Sequence, residues 1–312
     1  MTSHPSAKIV VVGSINCDIT TYMENFPKPH ETIMAERTAV SVGGKGLNQA
    51  VAAARAGGDV TLIAHIGNDQ FGAQAMAYLT DNAVAVDHIT TKDGCVTGTA
   101  TIFVTKAGEN MIAVSPGANF LLTADIVMRA YDIIADADVL IVQLEIPLEA
   151  IEMALKIAKK EGVKTILNPA PANSAAINLL PLVDIITPNE TETEALTGVY
   201  PDSLAATEKA MQVFHDLGAD GVIITKGEEG CAMWIDGQRA DLETFQVDMI
   251  DPTGAGDVFN GVFAVGFAQK YDYLQAARTA SAAAAISVTR PMAEGAAPFA
   301  HEIEDFLIRE GD

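Results

Sequence analysis

The sequence predicts an α/β fold: a three-layer α/β/α sandwich around a mostly parallel central sheet, with a small β-sheet lid beside it. Three observations carry that prediction. Short apolar, β-branched runs alternate with helix-length segments along most of the 312 residues, the pattern of strands buried on both faces by crossover helices. Polar residues follow or close those runs at Asn16, Asp18, Glu145, Asn168, Asn189, Glu192 and Thr225. That puts them on the carboxyl edge of the sheet, where ligands of open parallel sheets bind. Stretches near residues 30–42 and 96–114 instead mix or alternate threonine with apolar side chains, as half-exposed strands do.

The first strand is Ile9-Val10-Val11-Val12, closed by Gly13. Asn16 and Asp18 follow at alternate positions, so both project to one side of an extended chain, an arrangement suited to pairing with hydroxyls. Taken alone, the pair is better explained by an ordinary turn. Val42-Gly43-Gly44-Lys45-Gly46-Leu47-Asn48-Gln49 then leads into an alanine-rich helix over residues 50–56, stopped by Gly57-Gly58. It is not a Walker A loop, because Gly46 stands where Ser or Thr is needed, and no G-x-G-x-x-G follows a strand.

A strand over 59–67 and a helix over 71–79 come next, followed by strands at 97–104 and 109–114. With 15–20 and 30–42, residues 96–114 make a discontinuous lid. Beyond residue 123 the alternation is regular: helix 124–134, strand 139–145, helix 148–160, strands 164–167 and 183–186, helices 191–196 and 204–217, strand 221–225. Short strands near 231–234 and 245–250 precede a helix after the 251–257 motif, a long helix over 274–288 and a final one at 300–309. Without a repeat, a low-complexity tail or a linker, residues 1–312 read as a single domain.

Composition narrows the function classes. Hydrophobic residues are 49% of the chain and charged residues 19%, ample for a core and too little charge for disorder. Lys+Arg is 19 against Asp+Glu 41, a formal charge of -22, so neither nucleic acid nor membrane is expected as a partner. Any phosphate must be held by local donors. Cys17, Cys95 and Cys231 lie too far apart for a zinc or disulfide framework, which fits a reducing cytoplasm. Residues 1–8 lack an apolar signal core, and no apolar run approaches the ~18 residues of a membrane span.

The most informative stretch is Asp251-Pro252-Thr253-Gly254-Ala255-Gly256-Asp257 and the helix that follows it. Small residues at a helix start turn several N–H groups toward one point, which suits an anion such as phosphate. Asp257 would repel that anion, so its carboxylate suggests a second role: taking the proton of a hydroxyl that attacks the phosphate. A carboxylate favoured by the helix dipole explains an isolated Gly-Ala-Gly-Asp as well. The other motifs decide between the two.

Together, the glycine-rich Gly43-Gly44-Lys45-Gly46 with Asn48, Gln143-Leu144-Glu145, Asn168-Pro169-Ala170-Pro171, Thr187-Pro188-Asn189-Glu190-Thr191-Glu192 and the 251–257 motif resemble the ribokinase family of sugar kinases over nearly the whole chain. The resemblance implies ATP- and Mg2+-dependent phosphorylation of a pentose, with D-ribose at its 5-hydroxyl the foremost expectation. It implies sugar binding by Asn16, Asp18, Gly44, Lys45, Asn48 and Glu145, and Asp257 as general base. The N–H groups of Gly254, Ala255 and Gly256 would form the anion hole. Asn189, Thr225, Lys226, Gly227, Gly230, Gly256 and Ser281 would line the nucleotide site, with Glu192 near the magnesium-bound phosphates. K+ would sit beside the anion hole on Asp251, Thr253, Ser287, Arg290, Met292 and Ala296, mainly through main-chain carbonyls. Met292 and Ala296 replace the family's usual glycine and serine, so a loop of different shape is expected there. A homodimer through the lid is implied as well. The alternatives are a kinase for deoxyribose, another sugar or a nucleoside, and a sugar-binding regulator without chemistry. A nicotinamide-dependent oxidoreductase is remote without its glycine fingerprint.

Overall fold

The computed structural model describes residues 7–270, 272–291 and 294–311. The first half of the chain runs β1 (Lys8–Val12), β2 (Asn16–Met23), β3 (Arg37–Gly43), α1 (Lys45–Arg55), β4 (Asp59–Gly67), α2 (Gln70–Asp81), β5 (Val84–Ala85), β6 (Ile89–Lys92), β7 (Gly98–Thr105) and β8 (Asn110–Ser115). Next come α3 (Ala124–Arg129), α4 (Tyr131–Ala135), β9 (Val139–Gln143), α5 (Leu148–Glu161), β10 (Lys164–Asn168) and β11 (Ile185–Ile186). The last third holds α6 (Glu190–Thr197), α7 (Leu204–Asp216), β12 (Gly221–Thr225), β13 (Cys231–Ile235), β14 (Gln238–Leu242), α8 (Ala255–Ala268), α9 (Tyr273–Val288) and α10 (Ala300–Glu310).

The main sheet is ordered β14-β13-β12-β11-β10-β9-β1-β4-β5, with β6 also on β4. Its pairings are parallel except β12–β13 and β13–β14. Alternation in β1 explains the layers. Ile9 and Val11 enter one core with residues of α1, α2, α8, α9 and α10, while Val10 and Val12 enter the other with α3 to α7. β1 pairs with β4 on one side and β9 on the other, so the chain's connections diverge around it, and a crevice opens at its carboxyl end. The lid is a separate sheet ordered β3-β2-β7-β8, with β2 parallel to β7 and antiparallel to β3.

Three sequence expectations shift. The expected strand over 245–250 is instead an irregular segment held against α9 and α10: Ile250 N donates to Val288 O of α9 at 2.7 Å and Phe245 packs edge-on against Phe306 of α10. The strand lies earlier, as β14. It pairs with β13 through Asp236-Gly237, both at positive φ, a sequence signature of tight hairpins. The helix expected over 124–134 divides at Ala130, whose N–H bonds back only three residues, to Val127 O. In the lid, residues 30–36 lie outside any strand and β3 starts at Arg37.

Candidate active site

β1 ends over the crevice and the chain turns through Ser14 and Ile15 into the lid, so Asn16 belongs to the lid and is buried beneath it. Asn16 Nδ2 donates to Glu145 Oε2 at 3.5 Å. The same carboxylate oxygen accepts from Ser14 Oγ at 2.5 Å and from the Lys45 N–H at 3.1 Å. Glu145 therefore ties together the end of β1, the lid and the start of α1. Asn119 fixes Asn16 from the other side: its Nδ2 donates to Asn16 Oδ1 at 2.8 Å, while its Oδ1 accepts from Ile15 N at 2.9 Å. Sequence reasoning missed both Ser14 and Asn119. Asn119 sits in a short 3-10 turn, Gly117–Leu121, with no periodicity to mark it.

Asp18 faces the same space. Its carboxyl is pushed up to about 7 by burial and by the neighbouring carboxylates of Glu145, Asp257 and Glu294. Lys45 opposes this negative charge. Burial pulls its ammonium down, but Asp257, Glu145 and Glu192 together outweigh that and hold it above its ordinary value. Gly44 caps α1 at φ 94, and a β-carbon there would stand 2.7 Å from Asn16 N, so a glycine is needed on both counts.

α8 opens at Gly254 in the left-handed conformation, φ 80. Asp257, three residues on, is only 6% exposed. Asn48 Nδ2 donates to its Oδ2 at 3.1 Å and Gln49 Nε2 to its Oδ1 at 2.9 Å. The position of Gly256 where a side chain would begin faces open space. The Ala255 N–H donates to Pro252 O at 3.2 Å, whereas those of Gly254 and Gly256 have no partner among the described residues. Donors at a helix start beside a buried carboxylate can stabilise a phosphoryl group and accept a proton from its attacker.

Of the residues expected at the nucleotide, Asn189 and Thr225 to Gly230 fall along the same sheet edge. Asn189 bridges Thr225 across the ends of β11 and β12. Asn189 and Glu192 form a capping box: Glu192 N donates to Asn189 Oδ1 at 2.8 Å and Asn189 N to Glu192 Oε2 at 2.9 Å. Glu192 is raised by burial, against the Asn189 N–H and Lys45, which lower it, with Asp257 adding to the rise. Gly227 and Gly230 form the tight turn after β12, where Lys226 N donates to Gly230 O at 2.8 Å. The Lys226 ammonium turns away to Thr207 Oγ1 at 2.8 Å. Ser281 is buried on α9.

At the two loops expected to hold K+, Val288 O accepts from both Ile250 N and Asp251 N and joins them. Thr253, Gly254, Ala296 and Asn48 line one small cavity there. The Ser287 hydroxyl donates to Ala284 O within its own helix. Arg290 takes up two carbonyls, donating from its backbone N to Ser287 O at 3.0 Å and from its guanidinium to Ala296 O at 3.3 Å. Met292 lies outside the described residues.

The family model for pfkB family carbohydrate kinases matches residues 6–299. The chain belongs to the pfkB family of carbohydrate kinases. Among its pfkB-family relatives, Haemophilus influenzae ribokinase is 43% identical over 96% of this chain and 98% of its own. Staphylococcus aureus ribokinase is 36% identical over 95% and 98%, and Salmonella typhi deoxyribokinase 33% identical over 96% and 98%. The solved structure of Arabidopsis thaliana ribokinase complexed with ribose and ATP superposes with a TM-score of 0.91 at 30% identity, covering 97% of this chain and 99% of that one.

Proposed function

We propose that this carbohydrate kinase transfers the γ-phosphoryl group of ATP to the 5-hydroxyl of D-ribose. The observation that carries the reading is Asp257: a buried carboxylate held by two amides at the first turn of α8, in the same cleft as Asn16, Asp18, Lys45 and Glu145. The likeness to ribose- and ATP-bound ribokinase and the identity to ribokinases support the choice of ribose over deoxyribose.

In this reading Asp18, Asn16 and Glu145 pair with ring hydroxyls and bring the primary hydroxyl to Asp257. As the hydroxyl oxygen bonds to the γ-phosphorus, Asp257 takes its proton and the bond to the bridging oxygen of ADP breaks. The N–H groups of Gly254, Ala255 and Gly256 stabilise the charge on the transferring group, with the Ala255 N–H turning from Pro252 O to a phosphoryl oxygen. Lys45, cationic in this acidic pocket, offsets the charge of the reactants. Glu192 would help to hold Mg2+ through waters beside the phosphates. When bound, Mg2+ neutralises phosphate charge. K+ would lie on carbonyls of Asp251, Thr253, Ser287, Arg290, Met292 and Ala296, two of which already accept from Arg290. The lid supports a homodimer, since β8 is exposed throughout and carries Met111, Ile112 and Val114.

The test is ADP release with magnesium-ATP across D-ribose, deoxyribose, hexoses and nucleosides, with and without potassium. Ribose is expected to give the highest kcat/KM. Equal or better turnover of another acceptor would displace ribose, and sugar binding without ADP release would favour the regulator.

A further inference from the structure

Gln49 follows the sugar-side Asn48 but is wholly buried, so it has no access to a sugar or a nucleotide. Its amide is nonetheless fully used at the site. Nε2 donates to Asp257 Oδ1 at 2.9 Å and to Asn168 Oδ1 at 3.1 Å, while Oε1 accepts from Gln143 Nε2 at 2.6 Å. Asn168 in turn donates from Nδ2 to Thr187 O at 3.3 Å, so its oxygen is the atom turned to Gln49. These bonds give the Gln49 amide one polarity. Reversed, its oxygen would face the Asp257 carboxylate and the Asn168 oxygen, and its NH2 would face the NH2 of Gln143.

Gln143, also wholly buried, enforces that polarity at a cost. Its Oε1 is one of two buried side-chain atoms without a partner among the described residues, the other being His65 Nε2. The amide fits because residue 13 is glycine; a β-carbon there would collide with Gln143 Oε1. The chain Gln143–Gln49–Asp257 thus joins β9, α1 and α8 through the core.

We infer that Gln49, oriented by Gln143, is a positioning residue that fixes the plane of the Asp257 carboxylate and aims it for proton abstraction. This rests on the general-base reading of Asp257 given above. A neutral amide is well suited to that role. As a donor to the carboxylate it favours the charged form and fixes its plane, yet it supplies no cation to compete with Lys45 for Asp257. The charged groups that act with Asp257 are Lys45 from α1, Asp18 from β2 and Glu192 from α6, while Glu145 acts on Lys45 and Asp18. All stay in place when Gln49 alone is changed.

The experiment compares the pH dependence of kcat and kcat/KM for the intact protein and for Gln49→Met, Gln49→Glu and Gln143→Met. Gln49→Met, similar in length but without the amide, is expected to lose kcat on the order of ten- to hundredfold with sugar KM nearly unchanged. The acid limb of its profile should move to higher pH, further in Gln49→Glu and less in Gln143→Met. In an Asp257→Asn background, Gln49→Met should cost nothing more. A folded Gln49→Met with unaltered kcat and acid limb, or one losing as much in the Asp257→Asn background, would overturn the inference while leaving the kinase reading intact. Full turnover by Asp257→Asn would overturn both. If the Gln49 variants fail to fold, Gln143→Met decides, because it leaves the direct partners of Asp257 in place; an unshifted acid limb there sinks the relay.

Discussion

Asp257, the base in the proposed reaction, and Asp18 occupy one cleft but are held differently: two amides donate to Asp257, whereas burial and neighbouring carboxylates favour the proton on Asp18. Asp257→Asn keeps the shape and an oxygen for one of the two amide donors but removes the proton acceptor. Its kcat should fall roughly 10²–10⁴-fold with calorimetric sugar affinity retained. Asp18 yields a stability prediction. Its folded pKa, about 7, lies above its ordinary 3.8, so the fold prefers the protonated form. Ionising it costs stability as pH rises from about 4 to 7, and above 7 that cost is complete. Asp18→Asn, neutral throughout, should therefore raise the Tm of the ligand-free protein at pH 8, with the gain shrinking as pH falls from 7 toward 4. A gain that grows toward acid pH would contradict the assignment. Asn16, Asp18 and Glu145 stood out in the sequence as polar residues closing apolar strands, although the sugar role proposed for them came from the family resemblance. Asn119 and Gln49 did not, because their roles come from contacts with Asn16 and Asp257, 103 and 208 residues away in the chain.

At the scale of elements, two helix starts face each other, and their glycines act differently. In α1, a β-carbon on Gly46 would stand 2.5 Å from Ser14 N, backbone against backbone. In α8, one on Gly256 meets nothing within 4 Å. Gly46→Ala should accordingly lower Tm sharply. Gly256→Ala should hold or raise stability by up to about 1 kcal/mol, alanine being the better helix former, yet weaken ATP binding and turnover by filling the phosphate space. Thermal melts beside nucleotide titrations separate these outcomes. Sequence periodicity placed long helices such as α5 and α9 well, since their apolar faces repeat over several turns. It misplaced the strand after β13, where Phe245 is as apolar as a strand residue but packs on α9 and α10, whereas the Asp236-Gly237 turn marked the true hairpin.

The whole molecule is an acidic sandwich that concentrates donors at one sheet edge, with a lid whose outer strand exposes Ile112 at 58% and Met111 at 55%. If two lids pair, Ile112→Lys should shift the species seen by sedimentation from dimer to monomer; an intact protein already monomeric at micromolar concentration would remove that element. No described helix is long and apolar enough to cross a membrane. The layer order and lid were legible because each strand class has its own pattern, buried runs in one sheet and mixed runs in the other. The meeting of α1 with α8 was not, since neither sequence segment encodes its distance from the other. Central to all three scales is phosphoryl transfer to a primary hydroxyl beside Asp257, and 31P NMR of the product from magnesium-ATP and D-ribose reads it directly. The expected result is ADP with a phosphomonoester signal split into a triplet by the two methylene protons at carbon 5, absent with Asp257→Asn. A doublet from a secondary or anomeric hydroxyl, or release of inorganic phosphate alone, would contradict it.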